Sequence, residues 1–233
     1  MDFVKDKWLK EDINEYNKYL KSIANKDKIE WTKGVVNTKM NVLAIKTNVL
    51  RDIAKEIMKG NYKSFLEKND NLYYESLIIS GIIISNIKDF NLLKEYLYKY
   101  SLLIDSWAAC DILSFKIKNN EENYYNLSLE YIGYPLEFQK RLGISMLFPL
   151  VNSLYIDRIL TIINQFTNTS YYYVDMILAW LLCECFIKER KKTLEFFKKN
   201  EANSFIINKA ISKCHDSYRV SKVDKEMLKN YKK

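Results

Sequence analysis

Histidine, proline and glycine are scarce in this 233-residue chain, which has one His, two Pro and five Gly. A single imidazole, His215, cannot build a His-rich metal centre, and Cys183-x-Cys185 lacks the further ligands that a zinc site needs. With so few glycines there is no Gly-rich loop to cradle a phosphate and no dinucleotide fingerprint. The shortage of both Gly and Pro leaves little to punctuate the many tight turns of a β-protein. Cys110, Cys183, Cys185 and Cys214 form no C-x-x-C pair. The charged segment Met1 to Lys10 lacks the apolar core of a secretory leader, so reduced thiols and a cytoplasmic location are expected. The longest apolar run, Leu77 to Ile84, is broken by Ser80 and Gly81 and is too short to span a bilayer. No membrane, metal or cofactor is expected.

What is present is helical periodicity. Hydrophobic residues make up 48% of the chain and charged residues 28%, enough apolar surface for one globular domain over residues 1–233. Between Asn48 and Met58, Val49, Leu50, Ile53, Ala54 and Ile57 fall on one face of a helix, with Gly60 as its expected stop. Asn71 is read as the cap of a helix running through Ile84, and Asp89 or Asn91 as the cap of another ending near Tyr100. Further helices are expected over Ile104–Ile117, Glu121–Ile132 and Pro135–Leu150, the last with a first-turn proline. Tyr155–Gln165, Tyr171–Lys188, Lys191–Lys198, Ser204–Lys213 and Ser221–Tyr231 complete an all-α set. About a dozen helices with short links point to antiparallel helix pairs.

The net charge of +8 favours a polyanionic partner. That partner is nucleic acid or an anionic membrane surface; Arg190, Lys191 and Lys192 form one basic cluster, and Lys222, Lys225 and Lys229 recur at helical spacing as a second, and both are candidate contacts for nucleic acid. A Ser-His-Asp triad would need His215, which lies among polar residues and reads as a surface side chain. Cys214 beside His215 is a weak nucleophile–base pair, because helical neighbours point about 100° apart.

The most informative stretch is Trp107-Ala108-Ala109-Cys110-Asp111. Residues four apart on a helix share a face, about 6 Å apart along the axis, so indole and carboxylate are set side by side. Such a pair suits a cation, held by the ring through cation–π attraction and by the carboxylate through charge. A core Trp with a locally paired Asp is the structural alternative.

The Trp107-x-x-x-Asp111 element resembles the catalytic helix of the AlkD-like DNA alkylation repair glycosylases, which are built from HEAT-like repeats. Phe138-Gln139-Lys140-Arg141-Leu142-Gly143-Ile144 is similar to that family's Arg-bearing helix. Tyr171-Tyr172-Tyr173-Val174 through Trp180 and Glu184 is similar to the helix carrying its second tryptophan. Val42 to Ile57 and Tyr73-Tyr74-Glu75 also resemble family segments, and the likeness spans roughly residues 30 to 220. The resemblance implies a HEAT-like α-solenoid with a concave basic groove, on which Trp107, Arg141 and Trp180, 34 and 39 residues apart, line successive inner helices. It implies a monomeric glycosylase, without cofactor, that releases cationic N3- or N7-alkylated purines from double-stranded DNA. Asp111 would stabilise the oxocarbenium-like sugar and orient water, Trp107 and Trp180 would flank sugar and lesion, and Arg141 would hold a phosphate. Glu184 is expected in a structural ion pair. The competing readings are a non-catalytic helical-repeat module that binds DNA or protein, and an alkyl-accepting thiol enzyme centred on Cys214.

Overall fold

In the computed structural model, which describes residues 1–168 and 171–233, the chain is all-helical as expected; the described residues form no strand, only an isolated bridge between Asn41 and Tyr73. It divides into two compact units, residues 1–116 and 117–233.

The first unit holds α1 (Lys10–Ser22), α2 (Ile29–Val36), α3 (Thr47–Ile57), α4 (Tyr62–Lys68), α5 (Tyr74–Ile84), α6 (Phe90–Ser101) and α7 (Trp107–Asp111). The apolar stretch too short for a membrane becomes the centre of this unit. Every residue of α5 from Tyr74 to Ile84 is buried, as a helix apolar on all sides must be. The α3 stripe buries Leu50, Ile53, Ala54 and Ile57 and packs on α5. Helix α5 also contacts α6 and α7. At the amino-terminal end, Trp8, Tyr16 and Phe65 pack edge to face, with centroids 5.0–6.2 Å apart.

The second unit holds α8 (Glu121–Gly133), α9 (Glu137–Ser145), α10 (Ile156–Asn164), α11 (Tyr172–Lys188), α12 (Arg190–Lys198), α13 (Ser204–Asp216) and α14 (Lys222–Leu228). Its order is layered: α9, α11 and α13 pack successively on one another, while α8 packs on α9, and α10 and α12 pack on each other and on α11. Alternate helices thus share a layer, as in the first unit, where α3, α5 and α7 are neighbours. Trp107 and Asp111 are on α7, Arg141 on α9 and Trp180 on α11, so each belongs to the odd-numbered layer of its unit.

Several local expectations need correction. The helix expected over Ile104–Ile117 is the single turn and a half of α7, because Ser106 is extended (φ −140°) and its hydroxyl caps the Ala108 N–H. Pro135 is not in the first turn of its helix; Leu136 is the cap, α9 ends at Ser145, and Pro149 sits in a separate 3-10 turn, Phe148–Leu150. Asn71 does not cap α5, which begins after Tyr73; it takes a left-handed conformation (φ 50°). Asp89, rather than Asn91, caps α6 through the Leu92 N–H. Gly60 is no left-handed stop. A Cβ there would lie 2.6 Å from the Lys5 backbone N and O, so glycine is needed for close chain approach.

Gly143 has the same role between α8 and α9, where a Cβ would meet Ser128 O at 2.7 Å and Ile132 N at 2.8 Å. Backbone cannot yield as a flexible side chain does. Gly143→Ala is therefore expected to lower unfolding stability by about 1–3 kcal/mol, despite alanine's better helix propensity. Urea denaturation checks this; a neutral or stabilising effect contradicts the close packing.

Candidate functional site

Helix α7 is too short to persist alone, and its position is set from outside. Asp105 accepts hydrogen bonds from the Thr38 hydroxyl (2.6 Å) and the Lys39 N–H (2.7 Å). The Ser106 hydroxyl donates to the Val36 carbonyl, and the Trp107 indole N–H donates to the Val35 carbonyl at 3.1 Å. The partner segment ends α2 with a left-handed turn at Asn37 (φ 52°), which exposes the carbonyls that these side chains take up. Behind the helix, the Tyr100 hydroxyl donates to the Ala109 carbonyl at 2.8 Å, in space left by Gly81.

Trp107 and Asp111 are consequently both half-buried, one helical turn apart, while Ala109 and Cys110 face the core. Tyr74, buried on α5, lies close by: burial, followed by the carboxylates of Glu75, Asp105 and Asp111, pushes its hydroxyl well above the ordinary range, against the hydrogen bond with Ser106. The phenol therefore stays neutral at physiological pH. Sequence reasoning gave no role to Ser106, Asp105 or Tyr74. A Ser immediately before a Trp-Ala-Ala helix start was the available signal for Ser106, and the likeness of Tyr73-Tyr74-Glu75 to a family segment was the signal for Tyr74; nothing in the sequence pointed to Asp105.

Glu75 is 1% exposed and accepts the Leu43 N–H at 3.0 Å, with Ala44 and Ile45 adding backbone hydrogen bonds. Ala44 has φ 56°, so the loop turns its successive N–H groups inward. Glu75 is thus a structural carboxylate.

In the second unit, α9 grips the first turn of α11. The Glu137 carboxylate accepts the Tyr173 N–H (2.8 Å) in the first turn of the helix, and the Arg141 guanidinium donates to the Tyr173 carbonyl (2.8 Å). Arg141 is only 4% exposed, so it offers solvent an edge and not the open fork that a phosphate clamp uses. Trp180, by contrast, is 46% exposed, standing edge-on to Phe148 with the Lys213 ammonium 5.5 Å from its ring centre. The structure therefore brings Trp107 together with Asp111, and sets Arg141 and Trp180 on packed helices of the other unit.

Among the expected DNA contacts, three already have acidic partners. Arg190 pairs with Asp224 (2.6 Å), Lys192 with Asp157 (2.9 Å) and Lys229 with Glu226 (2.6 Å). Lys191 and Lys222 are exposed and Lys225 is half-buried. Glu184 forms the expected ion pair, with Arg219 at 2.6 Å and Lys188 at 3.4 Å; burial opposes its charge, but these cations prevail and hold its carboxyl below the usual range. His215 is half-buried rather than a freely exposed surface side chain. Cys214 is fully buried, and its hydrogen bond with Cys183, together with burial, pushes its thiol far above the usual range, which disfavours an alkyl-accepting thiolate.

No described helix is long and apolar enough to cross a membrane, and the described residues include no group of three or more His, Cys, Asp or Glu able to hold a metal ion. A family model described as DNA alkylation repair enzyme matches residues 16–214, most of the chain. No individual curated protein matches it.

Burial outweighs the backbone hydrogen bonds at Glu75 and raises its carboxyl above the ordinary value. A folded value above the unfolded one means that its contribution is fully present below about pH 4, the ordinary glutamate value, and is lost as pH rises through the folded value. The stability of the wild type minus that of Glu75→Gln is expected to fall as pH rises from about 4 towards neutrality. A difference that rises over this range, in denaturant titrations at stepped pH, contradicts the assignment.

Proposed function

Since the chain belongs to the DNA alkylation repair enzyme family, we propose that it is a DNA glycosylase that hydrolyses the N-glycosidic bond of N3- or N7-alkylated purines in duplex DNA, with Asp111 as its catalytic carboxylate. Membership makes DNA its partner and alkylation damage its concern. The glycosylase chemistry is our reading, and the observation that carries it is the Trp107–Asp111 pair: an indole and a carboxylate one turn apart, both half-buried, on a helix fixed from two sides.

The chemistry asks for little else. A purine alkylated at N3 or N7 is already cationic and leaves as a neutral base, so no general acid is required. The barrier lies in the positive charge that grows on the deoxyribose as the bond to the base lengthens. A fixed carboxylate beside the sugar opposes that charge electrostatically and can accept a hydrogen bond from the attacking water. Trp107 holds the sugar and the cationic base by packing and cation–π attraction. Its indole N–H is tied to Val35, so the ring needs no reordering when DNA arrives. Arg141 is read as a positioning residue, fixing the first turn of the helix that displays Trp180.

Asp111→Asn keeps the shape and removes the charge. It is expected to slow release of 7-methylguanine or 3-methyladenine from methylated duplex by about 10²–10³-fold, as removal of one electrostatic stabiliser does elsewhere. The measurement is single-turnover base release followed by chromatography of the free base. Unchanged release rules out Asp111. If the wild type binds duplex but releases no base, a non-catalytic DNA-binding module is the reading that stands.

A further inference from the structure

Helices α11 and α13 run side by side in the same direction. Tyr172 meets Phe205 near their starts, Trp180 meets the Lys213 ammonium further along, and Glu184 holds Arg219 at 2.6 Å just past the end of α13. Cys183 lies on α11 between Trp180 and Glu184, and Cys214 follows Lys213 on α13. The last two contacts therefore bracket the two cysteines and turn them towards one another. Both are buried in the core of this unit, Cys183 at 4% exposure and Cys214 at 0%, and the two thiols interact directly.

A buried cysteine ordinarily packs as a small inert hydrophobe. This pair is different. The hydrogen bond from Cys214 holds the Cys183 thiol below its ordinary range; it prevails over burial and the Glu184 carboxylate, with help from the Arg219 and Lys213 cations. Cys214 is pushed the opposite way, so it keeps its proton and acts as the donor. Cys185, two residues on, is also buried, and burial drives its thiol up. One sulfur of the pair is thus prepared as a nucleophile, with a second thiol already beside it to resolve what it forms.

We propose that Cys183 and Cys214 are a redox pair, which a hydroperoxide closes into a disulfide across the α11–α13 interface and a dithiol reopens. The Cys183 thiolate attacks one oxygen of hydrogen peroxide. The O–O bond breaks, the sulfur becomes a sulfenic acid, and the other oxygen takes up a proton and leaves as water. The Cys214 sulfur then displaces the sulfenic oxygen, which departs with the Cys214 proton as a second water, and the S–S bond forms. The two thiols lose two electrons and the peroxide gains them. The bridge closes a loop of about thirty residues containing α12, which restricts the unfolded chain and stabilises the folded one. None of this depends on base release or on DNA.

The test exposes the folded full-length chain to hydrogen peroxide, alkylates the remaining thiols in denaturant and maps the peptides without reduction. The expected result is a loss of about 2 Da, one peptide pair joining Cys183 to Cys214, and alkylated Cys110 and Cys185. The melting temperature is expected to rise by about 5–15 °C and to return with dithiothreitol. Cys214→Ser removes the resolving thiol, so the sulfenic acid on Cys183 should be trapped by dimedone. No bridge in the folded chain, a bridge through Cys110 or Cys185 or between chains, or a melting temperature that does not rise overturns the pair. Dimedone on Cys110 or Cys185 in place of Cys183 overturns the order of the steps.

Discussion

Asp105, Ser106 and Trp107 are consecutive, and all three hydrogen-bond to residues 35–39 at the end of α2. Everything asked of the α7 carboxylate depends on that attachment. A helix of five residues has almost no stability of its own, since nucleation costs more than one or two backbone hydrogen bonds return. Its direction, and with it the placing of Trp107 and Asp111, comes from a left-handed turn some seventy residues earlier in the chain. Tyr100 closes the arrangement from the core side, and Gly81 leaves the room for it.

The same economy recurs in the second unit. Glu137 and Arg141, four apart on α9, take the N–H and the carbonyl of one residue, Tyr173, so the start of α11 is held at both of its backbone poles. The charges spent there serve the fold. On α13, by contrast, the Lys209 ammonium rests on the Phe205 ring of the same helix and the Lys213 ammonium on the Trp180 ring of α11. Fixed polar groups inside and loosely held cations outside are what binding a mobile polyanion calls for: the first preserves geometry, the second gives salt-sensitive attraction.

Periodicity alone placed most of the helices, because burial of one stripe or of a whole segment is written in local order: Leu50, Ile53 and Ile57 on α3, and the largely apolar α5. The four-residue spacing of Trp107 and Asp111 was likewise legible, as was the ion pair of Glu184. What could not be read depends on partners distant in sequence. Ser106 begins its helix late by binding Val36; Arg141 is drawn inside by a carbonyl thirty-two residues later; Arg190 and Lys192 pair with Asp224 and Asp157. Lys213 went unnoticed because its ring partner is on another helix, and no spacing rule links α11 to α13.

The central claim is that one carboxylate opposes positive charge growing on deoxyribose. It is tested most directly by affinity for duplexes in which a single nucleotide is replaced by a protonated pyrrolidine or by a neutral tetrahydrofuran of the same shape. The wild type is predicted to prefer the cationic ring, and Asp111→Asn to bind the two alike. Equal preference for the cation in both proteins would contradict the account, because the charge would then be recognised elsewhere.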